Sequence, residues 1–234
     1  LPRQPFLPTF AHLNYVVGPT VLDRRPELAA ALGRCIATWG HSDNEMGVLL
    51  GVLLGTESQA AMEVFLTIRK SSKQREVLRA ASKYKLTGNE LLFFEAMMRI
   101  YRSLEKQRND LAHGCFGIAE NDPDALLWIN IKEHVHFQTE AVTYYYAGIQ
   151  MPDQHKKLKE NMYVYRLKDL NNLQNEMEQF REAALFFNVY LRDMSHKGHA
   201  SQFARIQNLP LIKSALDASS QFGRQYVPKN QQGC

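Results

Sequence analysis

Arg108, Asn109 and His113 are the residues whose types and spacing can do chemistry. A guanidinium holds anions in a planar fork. An imidazole exchanges protons near neutral pH. Together they suit a substrate that carries an oxyanion and has a proton to give or take. They lie in the stretch Arg108-Asn109-Asp110-Leu111-Ala112-His113-Gly114. Asn109 and His113 are four residues apart and share a helix face. Arg108 and His113 are roughly 140° apart around a helix axis, so they flank one edge. Glu105 is three residues before Arg108 and four before Asn109, and can reach either. The same residues also admit a purely structural arrangement, in which Glu105 pairs Arg108 and His113 caps carbonyls.

A helix must position them. Thr87 and Glu90 have the spacing of a capping box, with Leu86 and Leu91 at the staple positions. The apolar stripe runs Phe93, Met97, Tyr101, Leu104 and resumes at Leu111. Arg108 falls on that stripe. A guanidinium there needs a partner or a task, because an unpaired buried charge is costly. Gly114 is expected to stop the helix as a left-handed cap.

The string Arg108 to Gly114, followed by Cys115-Phe116-Gly117, resembles the motif of the HEPN superfamily. That family is a helical bundle carrying an Arg, a polar residue next, and a His four to six residues on, at the end of a helix. The resemblance implies a mainly α fold, an antiparallel helical bundle over residues 26–195, in which the residues after the motif helix read, from their own pattern, as a small antiparallel β insertion. It implies a metal-independent RNA endonuclease that works as a homodimer, with two copies of the motif across a cleft. His113 would then be the acid or base, Arg108 the phosphate ligand, Asn109 an orienting group, and Glu105 the support for Arg108. No cofactor and no metal are implied. The partners would be RNA, a second copy, and an antitoxin or inhibitor protein, in a setting of defence, stress or toxin control. Other family members have lost activity and bind RNA, a nucleotide or a protein.

The 234 residues suffice for one good-sized domain, with 45% hydrophobic and 22% charged residues. A net charge of +4 permits contact with nucleic acid without arguing for it. Cys35, Cys115 and Cys234 are scattered, which is neither a disulfide framework nor a zinc spacing, and suggests the cytoplasm. The apolar run Met46 to Leu54 is too short to span a membrane, so no membrane partner is expected.

Residues 1–25, with Pro2, Pro5, Pro8 and Pro19, read as an extended arm. Pro26 suits the first position of a helix. The phase from Leu28 through Trp39 to Leu53 predicts one long helix across Gly40. Gly47, Gly51 and Gly55 would let another helix approach closely. A helix from Thr56 to about Lys70 and one from about Gln74 to Tyr84 follow. The latter carries the densest basic run, Lys73, Arg75, Arg79, Lys83 and Lys85, which is the first candidate for a phosphate-backbone grip.

After Gly114 the apolar period changes to two. Leu127, Ile129 and Ile131, then Val135 and Phe137, predict a hairpin or three-stranded sheet over 115–147. His134 and His136 would then share a strand face. Tyr144-Tyr145-Tyr146 either stack bases or pack the sheet. The 3,4 spacing from Leu170 to Met194 predicts a long helix packing along the bundle or against a partner. Residues 196–234 read as a mostly mobile tail with one helical turn around Pro210 to Ala218.

Overall fold

The computed structural model describes residues 3–6, 9, 14–56, 58–149 and 158–225. They are mainly helical, with one five-stranded antiparallel sheet. The chain divides into two compact units, residues 1–37 with 106–175 and residues 38–105 with 176–234.

The first unit holds the sheet, in the order β1-β5-β4-β3-β2. The strands are β1 (Gln4–Pro5), β2 (Tyr15–Val17), β3 (Gly114–Ala119), β4 (Asp122–Asn130) and β5 (Met162–Arg166). The central strand β4 is buried on both faces from Ala125 to Ile129, so its apolar run is nearly continuous. Leu127 and Ile129 pack with Phe6, Met162 and Val164 on one side. The expected extended arm therefore supplies both edge strands, pairing Gln4 with Val164 and Tyr15 with Ala119.

The hairpin expected over 115–147 is half correct. Of the expected strands, only the one around Leu127 and Ile129 forms, as β4, and its hairpin partner is β3 before it, with Phe116 opposite Trp128. Residues Ile131–Ala147, however, form helix α5. The local signals for it are clear in retrospect. The Asn130 side chain accepts a hydrogen bond from the Lys132 amide at 2.9 Å, and Gly148 closes the helix at φ 64°. These end caps outweigh the β-branched residues between them. His134 and His136 consequently do not share a face. The sheet finds its remaining strands in β5 and the N-terminal segments instead.

The second unit is helical. It takes the later part of α1 (Pro26–Leu54), then α2 (Ser58–Thr67), α3 (Ser71–Lys85) and most of α4 (Gly88–His113). The later part of α6 (Leu167–Arg192), α7 (Lys197–Gln207) and α8 (Pro210–Gln225) complete it. Helix α1 runs unbroken through Gly40, as its phase predicts. A Cβ at Gly47 would meet the Met62 side chain, with Cε at 2.8 Å, so this glycine serves packing within the chain. Gly55 ends the segment at φ 67°. Helix α3 begins three residues earlier than expected.

Tyr101 is the centre of this core. It stacks on Trp39 at 5.0 Å and on Phe180 at 5.7 Å, and its hydroxyl donates to Asp43. Phe93 lies 4.8 Å from Phe187. The 3,4 stripe of α6 is therefore spent inside the protein. Leu170, Leu173, Met177, Phe180, Ala184, Phe187 and Leu191 are all buried. Met194 alone is half exposed, beyond the end of the helix. This corrects the idea that the stripe is a seam for a second copy.

The expected tail is also corrected. Residues 197–225 form two helices. Few apolar residues suffice, because those present are large and on one side. Phe203 stacks on Tyr190 at 4.3 Å with the rings 6° apart, and Ile206 and Ile212 are fully buried. Residues 226–234, including Cys234, lie outside the described residues. Among the described residues no single helix is long and apolar enough to cross a membrane.

Two predictions follow from burial. Phe180→Ala should destabilise the protein by about 3–5 kcal/mol, whereas Met194→Ala should stay within about 0.5 kcal/mol, both read from urea unfolding. Burial also pushes the Cys35 thiol up to about 11 from an ordinary 9.0. The unfolded thiol ionises first, so the stabilisation is fully present below pH 9.0 and is lost as pH rises towards 11. The urea midpoint should therefore fall over that range, and Cys35→Ala should flatten part of the fall.

Candidate functional site

The last turn of α4 runs directly into β3 at Gly114, with no intervening loop. Gly114 is not a left-handed cap, since the positive-φ glycines among the described residues are Gly55, Gly88 and Gly148. Its role is steric. A Cβ there would run into the Trp128 indole. The indole occupies that space because its Nε1 donates to the Asp110 carbonyl at 2.6 Å. It thereby satisfies one of the carbonyls that a helix end leaves unpaired.

A guanidinium from the N-terminal segment completes the anchor. Arg3 Nη1 lies 3.3 Å from Asp110 Oδ2, and both side chains are largely buried. The Arg3 Cζ sits 4.2 Å from the Trp128 ring centroid and 4.4 Å from that of Tyr163. Trp128 and Tyr163 are cross-strand neighbours, which places their rings on one side of the sheet. Tyr165 belongs to the same surroundings, two residues along the strand from Tyr163. Burial pushes its phenol up to about 12, with Arg3 opposing that rise and Asp110 adding to it.

The motif thus divides by role. Asp110, Leu111 and Gly114 hold the end of the helix to the sheet. Leu111 is buried, Asn109 and Arg108 are partly exposed, and His113 is exposed. These last three lie on the same turn and a half of α4. The stripe position of Arg108 is only partly buried, unlike Leu104 and Leu111 on either side of it.

Glu105 has a different task from the one expected. Its carboxylate is bound by Arg75, with both side chains largely buried. The i,i+3 spacing suggested Arg108, but α3 brings a guanidinium to Glu105 from another element. That pairing also withdraws Arg75 from the candidate phosphate grip. Two more of that set have carboxylate partners: Lys73 lies 2.7 Å from Glu76, and Arg79 lies 3.3 Å from Glu95. Lys83 remains exposed. Lys85 donates to the Val52 carbonyl at 2.6 Å. The basic run is therefore largely a neutralised face.

Sequence reasoning missed Arg3, Trp128, Tyr163 and Tyr165. The cross-strand pair was within reach once β4 and β5 were known to be neighbours. Nothing local to Arg3 signals its distant partner. Among the described residues no group of three or more His, Cys, Asp or Glu side chains is placed to hold a metal ion.

Gly114→Ala should displace the indole and destabilise the protein by about 1–3 kcal/mol. Arg3→Ala should cost about 1–2 kcal/mol through its stacking and its ion pair. His113→Ala, at an exposed position, should stay within about 0.5 kcal/mol. Urea unfolding followed by tryptophan fluorescence checks all three, and equal losses in all would mean that His113 is structural.

Comparison of the chain with protein-family models, with curated proteins and with solved structures finds no match.

Proposed function

We propose that this protein is a metal-independent RNA endonuclease of HEPN type, using Arg108, Asn109 and His113 in a composite site made by two copies. The observation that carries the reading is the division within the motif. Its structural members are spent on Arg3 and Trp128, while His113 stands exposed beside the partly exposed Asn109 and Arg108. An exposed imidazole and a partly exposed guanidinium on the last turns of one anchored helix are groups suited to phosphate chemistry.

The reaction asks little of the protein. The ribose 2′-hydroxyl attacks the adjacent phosphorus and loses its proton. The bond to the 5′-oxygen breaks, and that oxygen gains a proton. His113 transfers one of these protons. Arg108 meets the charge that builds on the phosphate oxygens, for which its planar fork is suited. Asn109 orients the imidazole or the substrate. Glu105 acts at a distance in this scheme, fixing α3 against α4 through Arg75. An antitoxin or inhibitor protein, and a defence or stress setting, belong to the same reading.

A second reading is favoured by the neutralised face of α3. With Arg75 and Arg79 engaged by carboxylates, little extra grip for a long RNA is left on that helix. The same motif would then bind RNA, a nucleotide or a protein without turnover.

Labelled RNA incubated in EDTA decides between them. Cleavage should leave a 2′,3′-cyclic phosphate, and a 2′-deoxy substitution at the cut should block it. His113→Ala should slow cleavage by about 10²–10⁴-fold, and Arg108→Ala by about 10²–10³-fold, with Asn109→Ala milder. Activity that needs magnesium, acts equally on DNA, or survives His113→Ala would sink the proposal. Binding of RNA without cleavage would select the second reading.

A further inference from the structure

Helix α5 (Ile131–Ala147) contains no buried residue, although its sequence is rich in apolar side chains. Its inner side, with Phe137, is only partly covered by the sheet core. Its outer side is apolar. Ile131 is 49% exposed, Val135 53%, Val142 53% and Tyr145 81%. With Gln138 these positions step 4, 3, 4, 3, the spacing of a coiled-coil seam. On a helix they fall within an arc of about 80°. Thr139 and Thr143, on the margin, turn their hydroxyls back to the carbonyls of Val135 and Thr139, each at 2.9 Å. Those hydroxyls are thus already satisfied within the helix.

We propose that this face pairs antiparallel with the same face of a second copy of the chain. Gln138 is the midpoint of the stripe: Ile131 lies seven residues before it and Tyr145 seven after, while Val135 lies three before and Val142 four after, so the inner pair match to within one residue. Antiparallel pairing sets the large Tyr145 of one copy against the smaller Ile131 of the other. It also sets Gln138 against Gln138. A carboxamide both donates and accepts, so it can satisfy its own copy across a two-fold axis. A single polar residue in such a seam fixes the register. Lys132 comes to the end where the other helix exposes its carbonyls, which favours a cation.

The chemistry of the face argues against nucleic acid and against an anionic lipid surface. The seam carries no charge, so it offers nothing to a phosphate backbone. Lys132 is the only lysine or arginine on α5, and His136 lies 3.2 Å from Glu140, so an anionic lipid surface finds little attraction. The paired helices are about 22 Å long over the seam. They would bury about 800–1,000 Å² in total, at the small end of specific interfaces. The dimer is therefore reversible and concentration-dependent. It stands on the surface of α5 and does not depend on the reading of Arg108 and His113.

Sedimentation velocity of the full chain from about 1 to 200 µM should show a monomer passing to a dimer, with the midpoint in the micromolar range. Val142→Asp should weaken association at least about tenfold by placing a charge in the seam. Val64→Asp, on the exposed side of α2 (56% exposed), should leave it unchanged. Circular dichroism matching the parent shows that each variant folds. Under mild oxidation, Ile131→Cys protein mixed with Tyr145→Cys protein should form the mixed disulfide in preference to either like pair. A monomer at every concentration, a dimer indifferent to Val142→Asp, or predominantly like-pair disulfides would overturn the proposal. So would binding to phosphatidylserine vesicles without self-association.

Discussion

The hydrogen bond from the Trp128 indole to the Asp110 carbonyl is the interaction on which the arrangement of the motif depends. A helix that passes straight into a strand has no loop in which to hide its unpaired carbonyls. Here a side chain from the neighbouring strand reaches one of them. The position of that side chain then dictates the rest. Gly114 must lack a Cβ because the indole fills its space. Arg3 stacks on the indole and forms an ion pair with the Asp110 carboxylate. The backbone and side chain of one residue are thus held from two directions, and the direction of the last turn of α4 is set by the sheet.

Direct joining recurs in the sheet-bearing unit. Strand β4 passes into α5 at Asn130, whose side chain caps the helix. Strand β5 passes into α6 at Arg166. There the Arg166 amide donates to Asp169 at 2.8 Å, the Leu167 amide donates to Asp124 at 3.0 Å, and the Arg166 guanidinium binds Asp122 at 2.6 Å. Each junction meets the exposed helix amides with an acidic or amide side chain, as the charge at a helix N-terminus favours. Loops are thereby replaced by specific polar contacts, and these fix where each helix begins.

What was legible in the sequence follows from these contacts. The long helices α1, α4 and α6 were readable, because each carries an apolar stripe over many turns and periodicity needs length. Strand β4 was readable from the alternation of Leu127 and Ile129, but its partner β3 was not. Helix α5 was not, because its alternating Val135 and Phe137 resemble a strand, and its caps at Asn130 and Gly148 carry the contrary signal. The C-terminal helices were hidden because a few large residues, Phe203 above all, do the packing. At the candidate site the stripe position of Arg108 was read from spacing, and the side chain there is half-buried. The partners of Glu105 and Asp110 were not legible, since Arg75 and Arg3 come from other elements. A sequence shows which charges need partners on a helix, but tertiary packing chooses them.

The order of strands has a consequence for how the protein comes off the ribosome. The outermost strands β1 and β2 lie near the start of the chain, while their partners β5 and β3 are made much later. Residues Gln4 and Pro5 leave the exit tunnel long before Val164 and Tyr163 exist to receive them. Such distant pairing is slow to form, because a long loop must close before any contact rewards it. Until then β5 presents an unpaired edge rich in apolar residues, which is a risk for sticking to other chains. Strand β1 is thus made before its partner and settles only after it. Because Arg3 arrives with β1, the end of the motif helix becomes rigid only when synthesis has passed β5.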